Sequence, residues 1–96
     1  MVDKVIITPK ANNDLRNIIE WYDNQSYLAG DRFLDEFNYC IEKITTSPSL
    51  YKFVIKDIQR CLLKIFPFII YFSSQSEGII VLRIRHKKQK MLSRFK

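Results

Sequence analysis

Beyond Glu77 the chain has no acidic residue, although Arg83, Arg85, Lys87, Lys88, Lys90, Arg94 and Lys96 all follow it. A C-terminal surface that neutralises itself with local ion pairs is thereby excluded. No apolar run is longer than residues 65–72, far short of the roughly 20 residues that a membrane-spanning helix needs. Histidine occurs once, as His86, and Cys40 and Cys61 lack metal-ligand spacing. A His-rich or zinc-type centre is therefore not expected, and neither is a cofactor. In a reducing compartment the two cysteines read as small buried apolar residues, with a structural pair as the other reading. The opening residues place an acid ahead of a short apolar run, unlike a secretory leader. The expectation is a cytoplasmic protein with no membrane partner. No repeat or low-complexity stretch is present, and 96 residues make a single domain, 1–96, with a basic tail at 87–96.

The charge that is present is divided unevenly. Residues 1–48 carry eight acids and five bases, net −3, and residues 49–96 carry two acids and eleven bases, net +9. A domain of this size does not need so one-sided a field in order to fold. It points to a surface that meets something acidic: a nucleic acid, a nucleoprotein or an acidic protein segment. The apolar fraction is 47%, with seven Phe and five Tyr, so a real core can form.

The charge division coincides with a change of period. Residues 2–7 read as a short first strand. Thr8-Pro9 reads as a helix start, with threonine as cap and proline at the first helical position. Ala11, Leu15, Ile18, Ile19 and Tyr22 then form one apolar stripe. A polar connection at Asn24-Gln25-Ser26 leads to a second helix with Ala29, Phe33, Phe37, Ile41 and Ile44 on one face. Thr45-Thr46-Ser47-Pro48 ends it. From there the period is two. Strands are expected at 50–55, 58–66, 68–72 and 79–85, with Pro67 marking a bulge or edge position. In the last strand Ile80, Leu82 and Ile84 are expected to face one way, and Arg83 and Arg85 the other. The fold class is α+β, in the order β-α-α-β-β-β-β. A helical hairpin covers one face of a mainly antiparallel sheet. The other face would carry Arg60, Lys64, Arg83 and Arg85, if the strands share a register.

The segment from Arg60 to His86 has an Arg near a strand start and then Leu62-Leu63-Lys64-Ile65-Phe66-Pro67-Phe68-Ile69-Ile70-Tyr71. A polar loop follows, and then Ile79-Ile80-Val81-Leu82-Arg83-Ile84-Arg85-His86-Lys87-Lys88. With Ala11, Asp14, Leu15 and Ile18 on the first helix, Pro48 after the second and Tyr51 beyond it, this resembles the RelE/ParE superfamily of bacterial type II toxin–antitoxin (plasmid stabilisation) systems. The resemblance covers residues 2–88. It implies a growth-arresting toxin neutralised by a cognate antitoxin, either as a homodimer or in a toxin–antitoxin hetero-oligomer.

The superfamily has two mechanisms. The RelE-like branch is a ribosome-dependent mRNA interferase, a metal-independent endoribonuclease. The ParE-like branch inhibits DNA gyrase. The nuclease branch places an Arg just after the dipeptide aligned with Phe66-Pro67, and an Arg and a Tyr in its tail. Here those positions hold Phe68, Gln89 (between Lys88 and Lys90) and Phe95. The ParE-like branch keeps an Arg where Arg60 stands and a His where His86 stands, so the resemblance favours gyrase as the target. If the chain cleaved RNA, Arg60 and His86 would be its catalytic pair. The residues expected to bind target or antitoxin are Arg60, Lys64, Arg83, Arg85, Lys87, Lys88 and Lys90. Met91, Leu92 and Phe95 could form an amphipathic turn that docks on the sheet or a partner. A non-toxic basic nucleic-acid-binding module is the alternative from a different class.

Overall fold

The computed structural model describes residues 4–89. The expected tail turn of Met91, Leu92 and Phe95, and residues 2–3 of the first strand, lie outside the described residues. Strand β1 (Val5–Ile7) leads into helices α1 (Pro9–Gln25) and α2 (Ala29–Thr46). A single 3-10 turn at Pro48–Leu50 precedes β2 (Phe53–Ile55), β3 (Ile58–Leu62), β4 (Phe68–Gln75) and β5 (Gly78–His86). The sheet order is β1-β5-β4-β3-β2. Every pairing is antiparallel except β1 with β5, which is parallel. The α+β layout matches the order expected from the sequence.

Thr8 starts α1 for the reason its chemistry suggests. Its Oγ1 accepts from the Ala11 N–H at 3.1 Å, and Pro9 occupies the first turn. The same Oγ1 donates to the Leu82 carbonyl, and the Thr8 N–H donates to the Val81 carbonyl. The cap therefore also fixes the start of the helix against β5. At the hairpin, Gly30 permits the close approach of α2 to α1. A Cβ there would lie 2.6 Å from Asp23 Oδ1 and 2.7 Å from the Ile19 carbonyl oxygen. Asp23 in turn accepts from the Gly30 N–H.

The main core lies between the hairpin and the sheet. It unites Ala11, Leu15, Phe33, Phe37, Cys40 and Ile44 of the helices with Cys61, Leu63, Ile70, Phe72, Val81 and Ile84 of the sheet side. Tyr22, Phe33, Phe66 and Phe68 form an aromatic knot at one end of it. Ring centroids are 4.9 Å apart for Tyr22–Phe66 and 5.4 Å apart for both Phe33–Phe66 and Phe33–Phe68. A second small cluster, Ile69 and Tyr71 with Val54 and Ile58, sits on the sheet face turned away from the helices.

Three expectations about the strands are corrected. The inward residues of β5 are Ile79, Val81 and Ile84 rather than Ile80, Leu82 and Ile84. Tyr71 pairs with Arg83 while Phe72 pairs with Val81, so Leu82 is an extra residue opposite one step of β4. This bulge reverses the phase of the alternation. The strand expected at 58–66 stops at Leu62, and Ile65 is 79% exposed. There the Glu36 carboxylate accepts from the N–H groups of Lys64, Ile65 and Phe66 and bends the chain into a turn ahead of Pro67. The strand expected at 50–55 is shortened to Phe53–Ile55 by the 3-10 turn. Buried Gln59 holds that turn, donating to the carbonyls of Pro48 and Tyr51.

Candidate functional site

The outer sheet face gathers two arginines around a tyrosine. In the ladder Arg60 of β3 is the partner of Tyr71 of β4, and Arg85 of β5 is the partner of Ile69. Partners in a ladder share a face, and residues two apart along a strand do as well. Arg60, Ile69, Tyr71 and Arg85 therefore project together. Tyr71 is 4% exposed and Arg85 9% exposed. Burial pushes the Tyr71 phenol above its ordinary range, and the positive charges of Arg60 and Arg85 pull it back. Tyr71 reads from sequence as a core residue, within the apolar run 68–72. Its place between two guanidinium groups appears only once the ladder is formed.

Arg83 is the ladder partner of Tyr71 and starts from the same face, but its guanidinium is drawn away from it. Its guanidinium forks onto Asp14 of α1, with Nε 2.8 Å from Oδ2 and Nη2 3.1 Å from Oδ1. Asp14 Oδ2 also accepts from the Ile84 N–H at 3.0 Å. The bond to Asp14 raises the Arg83 pKa against the opposing effect of burial. Arg83 is thus tied to the helix layer.

His86 also points elsewhere. It pairs with Phe68, three residues before Tyr71 on β4, and so lies on the helix side. Its ring meets Phe68 edge-on at 5.2 Å. Its Nδ1 accepts from the Lys88 N–H, and its own N–H donates to Gln89 Oε1. With Ile18, Trp21, Tyr22, Pro67 and Phe68 it borders an apolar cavity of about 540 Å³. Arg60 and His86 are therefore on opposite faces of the sheet.

Lys64 stands in the Glu36-bound turn and its side chain is exposed, as are those of Lys87 and Lys88 in the turn after β5. The Lys87 N–H donates to the Pro67 carbonyl, which brings that turn beside the β3–β4 connection. Lys90 lies outside the described residues. Among the described residues no group of three His, Cys, Asp or Glu side chains could hold a metal ion, and no helix is long and apolar enough to cross a membrane.

A helical hairpin on one face of a five-stranded sheet, with paired arginines on the other, defines a class of small α+β domain. Within that class the family is established by sequence. The family model described as "ParE toxin of type II toxin-antitoxin system, parDE" matches residues 5–91, and the chain belongs to this family. Among solved structures, a chain described as "Chromosomal ParDE TA system from P. aeruginosa" superposes with a TM-score of 0.69 at 18% identity. The match covers 86% of this chain and 94% of that one, and it shows the shared fold. No curated protein matches the sequence.

Proposed function

We propose that this ParE-family toxin arrests growth by binding and inhibiting DNA gyrase, and that a cognate antitoxin neutralises it. The observation that carries the choice of target is the separation of Arg60 from His86 by the thickness of the sheet. In-line attack on a phosphate needs a cation and a proton-transfer group converging on the same atoms. This pair does not converge. Phe68 adds support. It occupies the position where the nuclease branch has an arginine, and its ring is packed among Tyr22, Phe33 and His86. A binding toxin instead needs a complementary surface, and the outer sheet face offers the half-buried Arg60, beside the largely buried Tyr71 and Arg85. Arginine and tyrosine are the residue types that concentrate binding energy at interfaces.

The excess of base on the sheet half also suits an acidic antitoxin segment that orders on binding. The test is induced expression with and without the neighbouring antitoxin gene, reading plasmid supercoiling and translation separately. Loss of supercoiling with early translation intact is the expected result, together with inhibition of purified gyrase. Prompt codon-phased mRNA cleavage with gyrase unaffected would replace this reading with the interferase.

A further inference from the structure

One edge of the sheet borders an open groove. Among the described residues β2 is the last strand on its side. The Lys52 carbonyl points inward and accepts from the Arg60 N–H of β3. In the trans peptide that joins Lys52 to Phe53 the N–H points the opposite way. The Phe53 N–H therefore faces the open edge, and its own carbonyl points with it, as in any extended strand. Phe53 is the ladder partner of Gln59, which is in turn the partner of the core residue Phe72, so the Phe53 side chain stands on the helix side of the sheet. On that side the C-terminal half of α2 and the 3-10 turn form a groove of about 500 Å³, lined by Tyr39, Glu42, Lys43, Leu50 and Tyr51. Leu50 is 79% exposed, Phe53 64% and Tyr39 55%.

Two features say what fits there. A strand edge guarded against pairing carries charge and little exposed apolar surface. This edge has exposed lysines at both ends of β2, Lys52 and Lys56, yet three large apolar side chains lie open beside it. Lys43 adds a third cation across the groove, its Nζ 5.0 Å from the centre of the Tyr39 ring. The nearby acids are Glu42 and Asp57, and the Asp57 carboxylate already accepts from the Ser73 hydroxyl. We propose that this groove takes an extended acidic segment of a protein partner, which joins β2 as a sixth strand and sets a large apolar side chain against Leu50, Phe53 and Tyr39.

In an antiparallel addition, the incoming residue opposite Phe53 exchanges both backbone hydrogen bonds with it. Ladder partners share a face, so the side chain of that residue stands on the helix side, toward the groove. Acidic residues toward the ends of the segment meet Lys52 and Lys56. Arg60, Tyr71 and Arg85 take no part, so the inference stands whichever target the outer sheet face has.

The experiment titrates the purified full chain with the peptide acetyl-Asp-Glu-Val-Phe-Val-Glu-Asp-amide, read by calorimetry and by amide hydrogen exchange. The acidic peptide should bind, with an affinity that falls as salt is raised, and its counterpart with lysine at the four acidic positions should bind at least about tenfold more weakly. At saturation, exchange of the Phe53 amide should slow by about tenfold or more. N-methylation of the peptide's central phenylalanine removes the donor that meets the Phe53 carbonyl and should weaken binding by about tenfold. Leu50→Ala should weaken it by about fivefold or more, and Lys52→Glu combined with Lys56→Glu by about tenfold. Trp21→Ala, which truncates an exposed aromatic outside this groove, should leave it within about twofold. Circular dichroism of each variant shows that the fold is kept. If the acidic peptide does not bind at about 1 mM, the lysines only guard the edge and the inference is overturned. Binding that leaves Phe53 exchange unchanged, or that is lost in Trp21→Ala and kept in Leu50→Ala, overturns it as well.

Discussion

Asp14 and Arg83 clamp the helix layer to the sheet through a two-point ion pair, and the same Asp14 carboxylate also caps the Ile84 N–H. That N–H lies on β5 beyond the last residue matched by β1, whose ladder ends at Val81. Asp14 thus completes the sheet edge where the short first strand gives out. The side chains of Arg83 and Asp14 are 20% and 15% exposed, so the pair is only partly screened by water. Asp14→Ala should leave a half-buried guanidinium and an unmatched backbone donor, costing about 2 kcal/mol. For a domain of this size that corresponds to a fall in Tm of roughly 10 °C. Asp14→Asn retains an acceptor and should cost less. Equal Tm values for Asp14→Ala and the parent would show that the clamp carries no stability.

Much of the helical layer was legible because its signal is periodic. Leu15, Phe33, Phe37 and Ile44 repeat at helical spacing and all reach the core. The sheet was legible in order but not in phase. One inserted residue, Leu82, turns over the alternation of β5, and no local signal in a run of Ile, Val and Leu marks it. Ile65 alternates correctly with Cys61 and Leu63, yet is exposed because a carboxylate 29 positions earlier captures its N–H. The site shows the same limit. Arg60 and Arg85 stood out as cations in apolar strands. Tyr71 was hidden because β4 is buried on both faces, and the diversion of Arg83 to Asp14 spans 69 positions.

The Glu36 turn gives a prediction about local stability. Three successive N–H groups converge on one carboxylate, an anion nest filled by the protein's own side chain. Lys64 and Ile65 are exposed, so water can replace the carboxylate in part. Glu36→Ala should therefore cost only about 1 kcal/mol in urea unfolding. The local effect should be larger: hydrogen exchange at Lys64, Ile65 and Phe66 should accelerate by about tenfold or more. Glu36→Gln keeps an acceptor and should fall between the two. Unchanged exchange at these three amides in Glu36→Ala would mean that the turn holds without its carboxylate.

Alkaline pH should unfold the chain through its tyrosines. Burial is the first cause raising the phenol pKa of Tyr22, Tyr51 and Tyr71 above 10.0. A folded-state pKa above the unfolded value means that the folded state holds the proton more tightly. The associated stability is fully present below pH 10.0 and is lost as pH rises through the higher folded values. Unfolding free energy should therefore fall with pH above about 10, with tyrosinate absorbance rising alongside loss of structure. Tyr71→Phe should flatten that slope. A slope identical to the parent's would show that Tyr71 ionises without resistance in the folded chain.

The sharpest functional prediction sets Arg60 against His86, because the two readings of the family demand opposite results. A binding toxin concentrates its contacts on the face of Arg60, Tyr71 and Arg85, and truncating a central arginine of such a surface costs about 2 kcal/mol or more. Arg60→Ala should weaken inhibition of gyrase supercoiling by roughly 30-fold or more and relieve growth arrest on expression. Arg60→Lys should restore it only in part, since an ammonium lacks the guanidinium's fork. His86 lies across the sheet, its ring against Phe68 and its Nδ1 engaged by the Lys88 N–H. His86→Gln should leave supercoiling inhibition within about threefold of the parent, a change well under 1 kcal/mol. Circular dichroism and Tm of each variant separate a lost contact from a lost fold. If His86→Gln abolishes growth arrest in a folded chain while Arg60→Ala leaves it intact, the outer sheet face is not the working surface and the histidine end of β5 takes its place.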